Sequence, residues 1–138
     1  MEAQTGFASA EDILSGRGIE LLHSWEGFGE PASATSDEIM NAAQAGDERA
    51  LKTIEMFVGL FASALGDLAL IHLPFGGIYL IGGMARAVTP YFEVYEFEAK
   101  FYSKGRFKDL MEEFSIHVVE DDFAALNGCL SFLEEQIA

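Results

Sequence analysis

Two glycine pairs, Gly76-Gly77 and Gly82-Gly83, bracket the residues of this sequence that are best suited to contact a ligand. The apolar run between them, residues 78–81, is typical of a buried strand because it is rich in β-branched and aromatic side chains. A glycine pair directly after a strand lets the backbone turn sharply and approach a flat or charged group closely. With a helix opening near Met84, this is the order in which open α/β sheets present a ligand site. Glycine pairs beside strands also serve tight packing, so on its own the pattern favours packing over a nucleotide site.

Few other residues form a recognisable chemical pattern. His23, His72 and His117 are scattered singly and Cys129 is the single cysteine, so we predict no metal site and no catalytic residue from this set. The sequence contains no P-loop, nucleophile elbow or EF-hand loop. Asp67 lies in an apolar segment, where it serves either as a structural partner of a nearby loop, which we favour, or as a polar group beside a ligand.

The composition argues against several classes of partner. The formal net charge is −15, with 23 acidic and 8 basic residues, whereas nucleic-acid binding needs clustered Lys and Arg. The same charge argues against an anionic membrane surface. The most apolar run, residues 56–65, is too short to span a bilayer. One cysteine and the lack of a signal-peptide pattern favour a cytoplasmic protein.

Capping residues predict helices in the first part of the chain. Ser9, with Asp12 as the return partner of a capping box, begins a short helix that we expect Gly16 to end. A second helix is predicted over about residues 18–25, from the apolar face that it would present. Ser36 is expected to cap a third helix, which runs to about residue 45.

The longest predicted helix begins at Asp47 and continues to Pro74. It is apolar nearly all round after its first turns, which is typical of a helix buried inside a larger body. The aromatic residues within 91–102 are interpreted as core, because a base-stacking surface would need a positive groove beside it. Asp122 is expected to cap a final helix that carries several apolar residues: Phe123, Leu126, Leu130, Phe132 and Leu133.

Residues 78–81 and 116–119 are the two predicted strands, and their apolar character favours a parallel sheet with helices on both faces. Two parallel strands do not form a stable sheet alone. The sequence therefore predicts a single domain over residues 1–138 that is part of a larger α/β domain, with a long central helix and at least two parallel strands.

Four segments, in this order along nearly the whole chain, resemble the carboxyl-terminal part of bacterial-type glucokinases, which belong to the actin/hexokinase/Hsp70 ATPase superfamily. Residues 9–18 (SAEDILSGRG) resemble the family's SAE-x-[IV]-LSG-x-G segment, and residues 66–70 (GDLAL) resemble its G-[ND]-LAL segment. Residues 76–84 resemble its adenosine-motif strand and glycine turn, and Phe101 with residues 104–107 resembles F-x-x-KGRF. The resemblance implies the helix-rich part of a ribonuclease-H-like, actin/hexokinase-type domain.

The resemblance also implies roles for individual residues. Glu11 would hydrogen-bond glucose hydroxyls, since a carboxylate can accept two hydroxyl hydrogens. Gly82, Gly83 and Met84 would lie against the adenosine of ATP. The segment 104–107 would be structural or would lie near the nucleotide cleft. Phe7 departs from the family, which usually has a histidine at that place.

The parent enzymes phosphorylate glucose to glucose 6-phosphate with ATP and Mg²⁺, in glycolysis. Their amino-terminal domain, with a phosphate loop and the catalytic aspartate, has no match in this sequence, and neither does their second phosphate loop. We therefore expect no catalytic residue here, no tightly bound cofactor and little or no activity of the chain alone. Its partner would be the missing amino-terminal half or further copies of itself. The alternatives are a non-catalytic, kinase-derived binding or oligomerisation module, or a protein that binds nucleotide without chemistry.

Overall fold

One long helix forms the centre of the fold. The computed structural model of the chain describes residues 9–25, 27, 29, 32–121 and 123–137. In chain order its elements are α1 (Ala10–Ile13), α2 (Gly16–His23), α3 (Ser36–Gln44), α4 (Glu48–His72), β1 (Ile78–Leu80), α5 (Gly83–Val88), α6 (Phe97–Tyr102), α7 (Lys108–Met111), β2 (Ile116–Val118) and α8 (Ala124–Ile137). A short 3₁₀ helix at Thr89–Tyr91 precedes the turn before α6, and a second one at Gly105–Phe107 lies directly before α7.

The long helix α4 has 25 residues and well-defined ends. The Asp47 side chain accepts a hydrogen bond of 2.8 Å from the Ala50 backbone N–H, as predicted for the residue that begins this helix. Leu73 ends it in the left-handed conformation, with φ of 49°, and Pro74 cannot continue it. Helices α2, α3 and α6 pack against α4.

The core lies on one side of α4. Ile54, Phe57, Val58 and Ala62 are at most 2% exposed. Leu68 and Ile71, near the end of the helix, are 50% and 70% exposed. The prediction of a helix buried all round is therefore only partly confirmed, because α4 has a side that nothing in the described part of the chain covers.

The helix α4 is also long and apolar enough to cross a membrane, with a mean hydropathy of 1.8 in its most apolar window. The run of residues 56–65 is only part of this helix, so the length of that run alone does not decide whether the helix could span a bilayer. The packing of α4 gives the better argument. Its buried side holds the centre of the core together with α2, α3 and α6, as the central helix of a globular domain does.

The amino-terminal helices confirm one predicted cap and correct two others. Ser9 and Asp12 form the reciprocal capping box at the start of α1. Gly16 begins α2 instead of ending α1, because the Ser15 hydroxyl accepts from the Gly18 N–H at 3.1 Å and starts the next helix two residues earlier than predicted. α2 accordingly ends at His23, short of the predicted residue 25.

The third helix is capped one residue earlier than predicted. Thr35, not Ser36, is the capping residue of α3, because only Thr35 stands three residues before Glu38. The Thr35 hydroxyl accepts from the Glu38 N–H, while the Glu38 carboxylate accepts from the Thr35 N–H at 2.8 Å. Gly46, at φ of 86°, then turns the chain toward α4.

The two strands are parallel neighbours, as predicted, with Ile78 opposite Ile116 and Leu80 opposite Val118. Each is one residue shorter than predicted. The side chains of these four residues lie toward the core and are buried or half-buried. The other face presents Tyr79 stacked on His117, with ring centroids 5.0 Å apart, and both side chains are exposed.

The aromatic residues within 91–102, which were predicted to belong to the core, are buried or half-buried. Phe97 and Phe101 are at most 1% exposed, and the Phe92 ring stacks on Phe97 with centroids 4.0 Å apart. The final helix α8 lies outside this core, because every described residue from 125 to 137 is exposed. Two residues discussed above, Phe7 and the expected cap Asp122, lie outside the described residues.

Candidate functional site

The glycine turn after β1 has the backbone that only glycine adopts readily. Gly82 has φ of 110°, which strains any L side chain, and Gly83 is the first residue of α5. A Cβ added at either glycine would meet no protein atom within 4 Å. The space beside the turn is therefore open, and the glycines leave room for a ligand instead of for a neighbouring element.

The open space belongs to a cleft of about 450 Å³. Phe57 and Phe61 of α4 and Val88 of α5 line it together with the turn. Its full lining is Leu14, Phe57, Phe61, residues 79–85 and Val88. A mostly apolar cleft bordered by exposed glycine backbone suits a flat aromatic ring, and the backbone groups of the turn can fix the orientation of that ring.

Phe57, Phe61 and Val88 were not predicted as site residues. The two phenylalanines stand one helical turn apart on α4, and that spacing gave the only signal in the sequence. It is shared by ordinary core residues, so it could not by itself distinguish a cleft from a core.

Glu11 lies in the first turn of α1 and is exposed. It is not among the residues that line the cleft, so the structure does not bring its carboxylate to the glycine turn. Its segment does reach the cleft, since Leu14, which ends α1, is part of the lining. A Cβ at Gly16 would lie 3.8 Å from Met84 Cε. The two motifs that the resemblance assigns to sugar and nucleotide are thus neighbours in the fold.

Asp67 has a structural partner. The Lys104 ammonium donates to Asp67 Oδ1 at 2.7 Å and to the Ser63 carbonyl at 2.8 Å, which joins the 104–107 segment to α4. A Cβ at Gly66 would lie 2.4 Å from Lys104 Cε and 2.8 Å from the Phe101 carbonyl oxygen. The favoured interpretation of Asp67 as a partner of a nearby loop is confirmed, and neither Asp67 nor Lys104 lines the cleft.

His23 is buried in a hydrogen-bonded network between α2 and α4. Thr53 Oγ1 donates to the Arg49 carbonyl at 2.8 Å, so the 3.0 Å contact with His23 Nδ1 is one in which the imidazole donates. Burial lowers the pKa of His23, and the charge of the Arg49 guanidinium lowers it further. The Arg49 guanidinium itself donates to the His23 carbonyl at 2.6 and 2.8 Å. These contacts give His23 a structural role.

A larger cleft of about 630 Å³ lies beside β2. Glu93, Glu96 and Glu98 border it, together with Ile116 and Val118. Three carboxylates repel a phosphate-bearing ligand, so this cleft is the poorer candidate for a nucleotide. Among the described residues, no group of three or more His, Cys, Asp or Glu side chains could hold a metal ion.

The long core helix, the parallel strand pair and the glycine turn after β1 define part of an actin/hexokinase-type α/β domain. The crystal structure of a glucokinase from an Antarctic psychrotroph superposes on 97% of the chain with a TM-score of 0.77 and 26% sequence identity.

The sequence profile described as glucokinase matches residues 1–136, so the chain belongs to the glucokinase family. A glucokinase of Caulobacter sp. (strain K31) is 39% identical over 126 residues, or 89% of this chain. A glucokinase of Chromobacterium violaceum is 30% identical over 140 aligned residues, or 99% of the chain.

The chain is much shorter than these relatives. It spans 38% of the Caulobacter protein, 40% of the Chromobacterium protein and 43% of the Antarctic structure. The match therefore identifies the family and the fold of this part of the protein, and it leaves about three-fifths of each relative without a counterpart.

Proposed function

We propose that this chain is the carboxyl-terminal portion of an ATP-dependent glucokinase, which transfers the γ-phosphoryl group of ATP to glucose and yields ADP and glucose 6-phosphate. The observation that carries the proposal is the open glycine turn at Gly82 and Gly83, which borders an apolar cleft next to the segment that bears Glu11. The family match over residues 1–136 supports it. The reaction would take place in the cytoplasm, as a step of glycolysis.

The cleft would hold the adenosine of the nucleotide. Its lining of Phe57, Phe61 and Met84 offers apolar contact to a purine, and the bare backbone of Gly82-Gly83 permits close approach. Glu11 would bind sugar hydroxyls, since an exposed carboxylate accepts two hydroxyl hydrogens at fixed angles. For Glu11 to do so, the sugar would lie next to the cleft and outside its lining.

The chain alone would not catalyse the transfer. Phosphoryl transfer needs a positioned nucleophile, a base that takes its proton and cations that neutralise the phosphates. Among the described residues, no three His, Cys, Asp or Glu side chains lie together as a metal site. Mg²⁺ would therefore arrive with the nucleotide, and the base and the phosphate-binding loops would come from the part of a glucokinase that this chain does not match.

A titration with ADP tests the nucleotide site. Gly83 and Gly76 both have open space around them and ordinary φ, so Gly83→Leu is the test variant and Gly76→Leu its matched control. We expect ADP at millimolar concentration to raise the melting temperature of the unaltered chain and of Gly76→Leu but not of Gly83→Leu. If ADP has no effect on the unaltered chain, or the same effect on Gly83→Leu, the nucleotide site is not at this turn.

A coupled assay for glucose 6-phosphate tests the expected inactivity. The chain alone should give no rate above the blank at saturating ATP, Mg²⁺ and glucose. A turnover on the order of 10 s⁻¹, which is typical of enzymes, would show that the chain carries a complete active site and would overturn this part of the proposal.

A second candidate function is a non-catalytic binding or oligomerisation module built on the kinase scaffold. The exposed apolar side chains of the outer sheet face and of α8, such as Tyr79, Ile81 and Leu126, favour it, because such surfaces usually contact a partner. Light scattering distinguishes the two, since this candidate predicts a stable oligomer of the chain alone whereas the glucokinase portion needs a different polypeptide.

A further inference from the structure

The Met84 side chain forms part of the wall of the candidate nucleotide cleft, and two helices begin beside it. Met84 is half-buried and is the second residue of α5. Gly16 is the first residue of α2, and Ser36 is the first residue of α3. A Cβ added at Gly16 would lie 3.8 Å from Met84 Cε and 3.7 Å from Ser36 Oγ. Neither Gly16 nor Ser36 belongs to the cleft lining, so both lie next to Met84 from outside the cleft.

The space beside Gly16 has room for a methyl group and little more. Distances of 3.7 and 3.8 Å are ordinary van der Waals contacts, so an alanine would fit without displacing its neighbours. The backbone at Gly16 is helical, and its conformation does not require glycine. A side chain with further carbon atoms would have to move Ser36 or Met84. The size of residue 16 therefore controls the room that is left for the wall of the cleft.

Of these two neighbours, Met84 moves more easily. Ser36 is held in place, because its backbone N–H donates to Glu20 Oε1 at 2.9 Å and Glu20 belongs to the same helix as Gly16. The Met84 side chain has three rotatable bonds, and methionine adapts readily to the space around it. A larger side chain at residue 16 would therefore push Met84 toward the cleft that it lines.

We propose that Gly16 is a positioning residue of the nucleotide site. Together with Ser36, it leaves the space in which the Met84 side chain lies back from the cleft, so that the purine can pack on it. This inference rests on the proposed function, and it adds residues that act on nucleotide binding without touching the nucleotide. It also gives the segment that bears Glu11 a second role, since that segment continues into Gly16.

Substitutions of increasing size at residue 16 test the proposal. Gly16→Val adds two carbon atoms beyond Cβ, and its branched side chain has few rotamers that avoid both neighbours. Gly16→Ala is the conservative variant. Arg17→Val is the matched control, because it places the same β-branched residue in the same helical turn, at a side chain that is 71% exposed. The rise in melting temperature with ADP concentration gives the dissociation constant of each chain.

We expect Gly16→Ala and Arg17→Val to bind ADP within about twofold of the unaltered chain, and Gly16→Val to bind it roughly 10-fold more weakly, because the displaced Met84 would take up part of the space of the purine. In a chain that carries Met84→Ala, adding Gly16→Val should change the affinity by less than about twofold, since the displaced side chain is gone. An equal loss with and without Met84 would mean that residue 16 acts on the folding of α2, and would overturn the proposal.

The methyl signal of Met84 reports its position directly. In chains labelled with ¹³C at the methionine methyl groups, this NMR signal is assigned by its absence from Met84→Ala. It should shift in Gly16→Val and on addition of ADP, and it should stay in place in Arg17→Val. A Met84 signal that Gly16→Val leaves unchanged contradicts the proposal, whatever the melting temperatures are.

Two outcomes separate this inference from the proposed function. If ADP binds the unaltered chain and Gly16→Val equally well, the nucleotide site stands and the positioning role of Gly16 fails. If ADP neither raises the melting temperature of the unaltered chain nor shifts its Met84 signal, the nucleotide site at the glycine turn fails, and the role of Gly16 fails with it.

Discussion

The helical layer of this molecule buries most of its large apolar side chains, whereas the sheet side leaves several of them exposed to solvent. In the helical layer, formed by α2, α3, α4 and α6, Ile19, Ile39 and Phe101 are at most 1% exposed. In the elements β1, β2 and α8, which we group under the name sheet side, Tyr79 and Leu126 are more than 60% exposed. The helical layer therefore contains a buried core, although Leu68 and Ile71 at the end of α4 are exposed, whereas the sheet side leaves several large apolar side chains in solvent.

This difference bears on where the candidate site lies. The glycine turn follows β1, but Phe57 and Phe61, which line the cleft beneath it, belong to α4. The candidate site is thus supported by the buried core, whereas the exposed apolar side chains of β1 and α8 lie outside that core.

The largest effect is expected from truncation in the helical layer. Phe101 is fully buried, so Phe101→Ala should lower the free energy of unfolding by about 3–5 kcal/mol, through lost burial and the cavity that remains. Leu133→Ala, at an exposed position of α8, should change it by less than about 0.5 kcal/mol, as exposed substitutions do. Urea denaturation of both variants measures the contrast. Equal losses would mean that the sheet side has a core of its own.

A glycine comparison within α4 should give the next largest effect. Gly66→Ala should destabilise the chain by about 1–3 kcal/mol, because the new Cβ would lie 2.8 Å from the Phe101 carbonyl oxygen and even closer to Lys104. In Gly59→Ala the new Cβ would contact only the flexible end of the Lys100 side chain, with Lys100 Nζ at 3.6 Å. This substitution should stabilise the helix by about 0.5–1 kcal/mol. Opposite signs in thermal or urea unfolding support this account, and a neutral Gly66→Ala would contradict it.

Local interactions explain which parts of the fold could be predicted. The caps Ser9 and Asp47 and the glycine turn all depend on neighbours within a few residues. The strand pair joins residues far apart in the chain, but the apolar character of each strand is a local pattern that favours parallel pairing. The errors were also local. Ser15 caps a helix that was predicted to begin near residue 18, and Thr35 takes the capping role predicted for Ser36. Only the geometry of the folded chain shows which of several neighbouring side chains reaches the free N–H groups.

The shape of the site depends on tertiary packing and could not be predicted in this way. The periodicity of α4 marks Phe57 and Phe61 as apolar, but it does not show that they line a cleft instead of filling a core. Glu11 was assigned by resemblance alone. Its position outside the cleft lining depends on how the short helix α1 packs in the folded chain, which the local sequence does not show.

The buried His23 gives the helical layer a pH dependence. Its pKa is lowered in the folded state, so the unfolded chain binds more protons as the pH falls below about 6.5, and the folded state loses stability. Above that pH the contribution of His23 is fully present. Unfolding free energies of the unaltered chain and of His23→Gln, measured at pH 7.5 and pH 5.5, isolate this contribution from the titration of the many carboxylates. The unaltered chain should lose more stability between the two pH values, and equal losses would contradict the assignment.

The smallest effect is expected at the contact between Asp67 and Lys104. Asp67 is 67% exposed at its side chain, so solvent screens the ion pair, and Asp67→Asn should cost less than about 1 kcal/mol. Lys104 keeps its hydrogen bond to the Ser63 carbonyl, and an Asn side chain still offers it an oxygen acceptor. The glucokinase segment that residues 66–70 resemble carries either Asn or Asp at this place, which agrees with a role in hydrogen bonding more than in charge.

Lys104→Met removes both hydrogen bonds of the ammonium, to Asp67 and to the Ser63 carbonyl, and should cost more than Asp67→Asn in the same urea titration. If Asp67→Asn were the more damaging of the two, the charge of Asp67 would have a function that its exposed position on α4 does not explain.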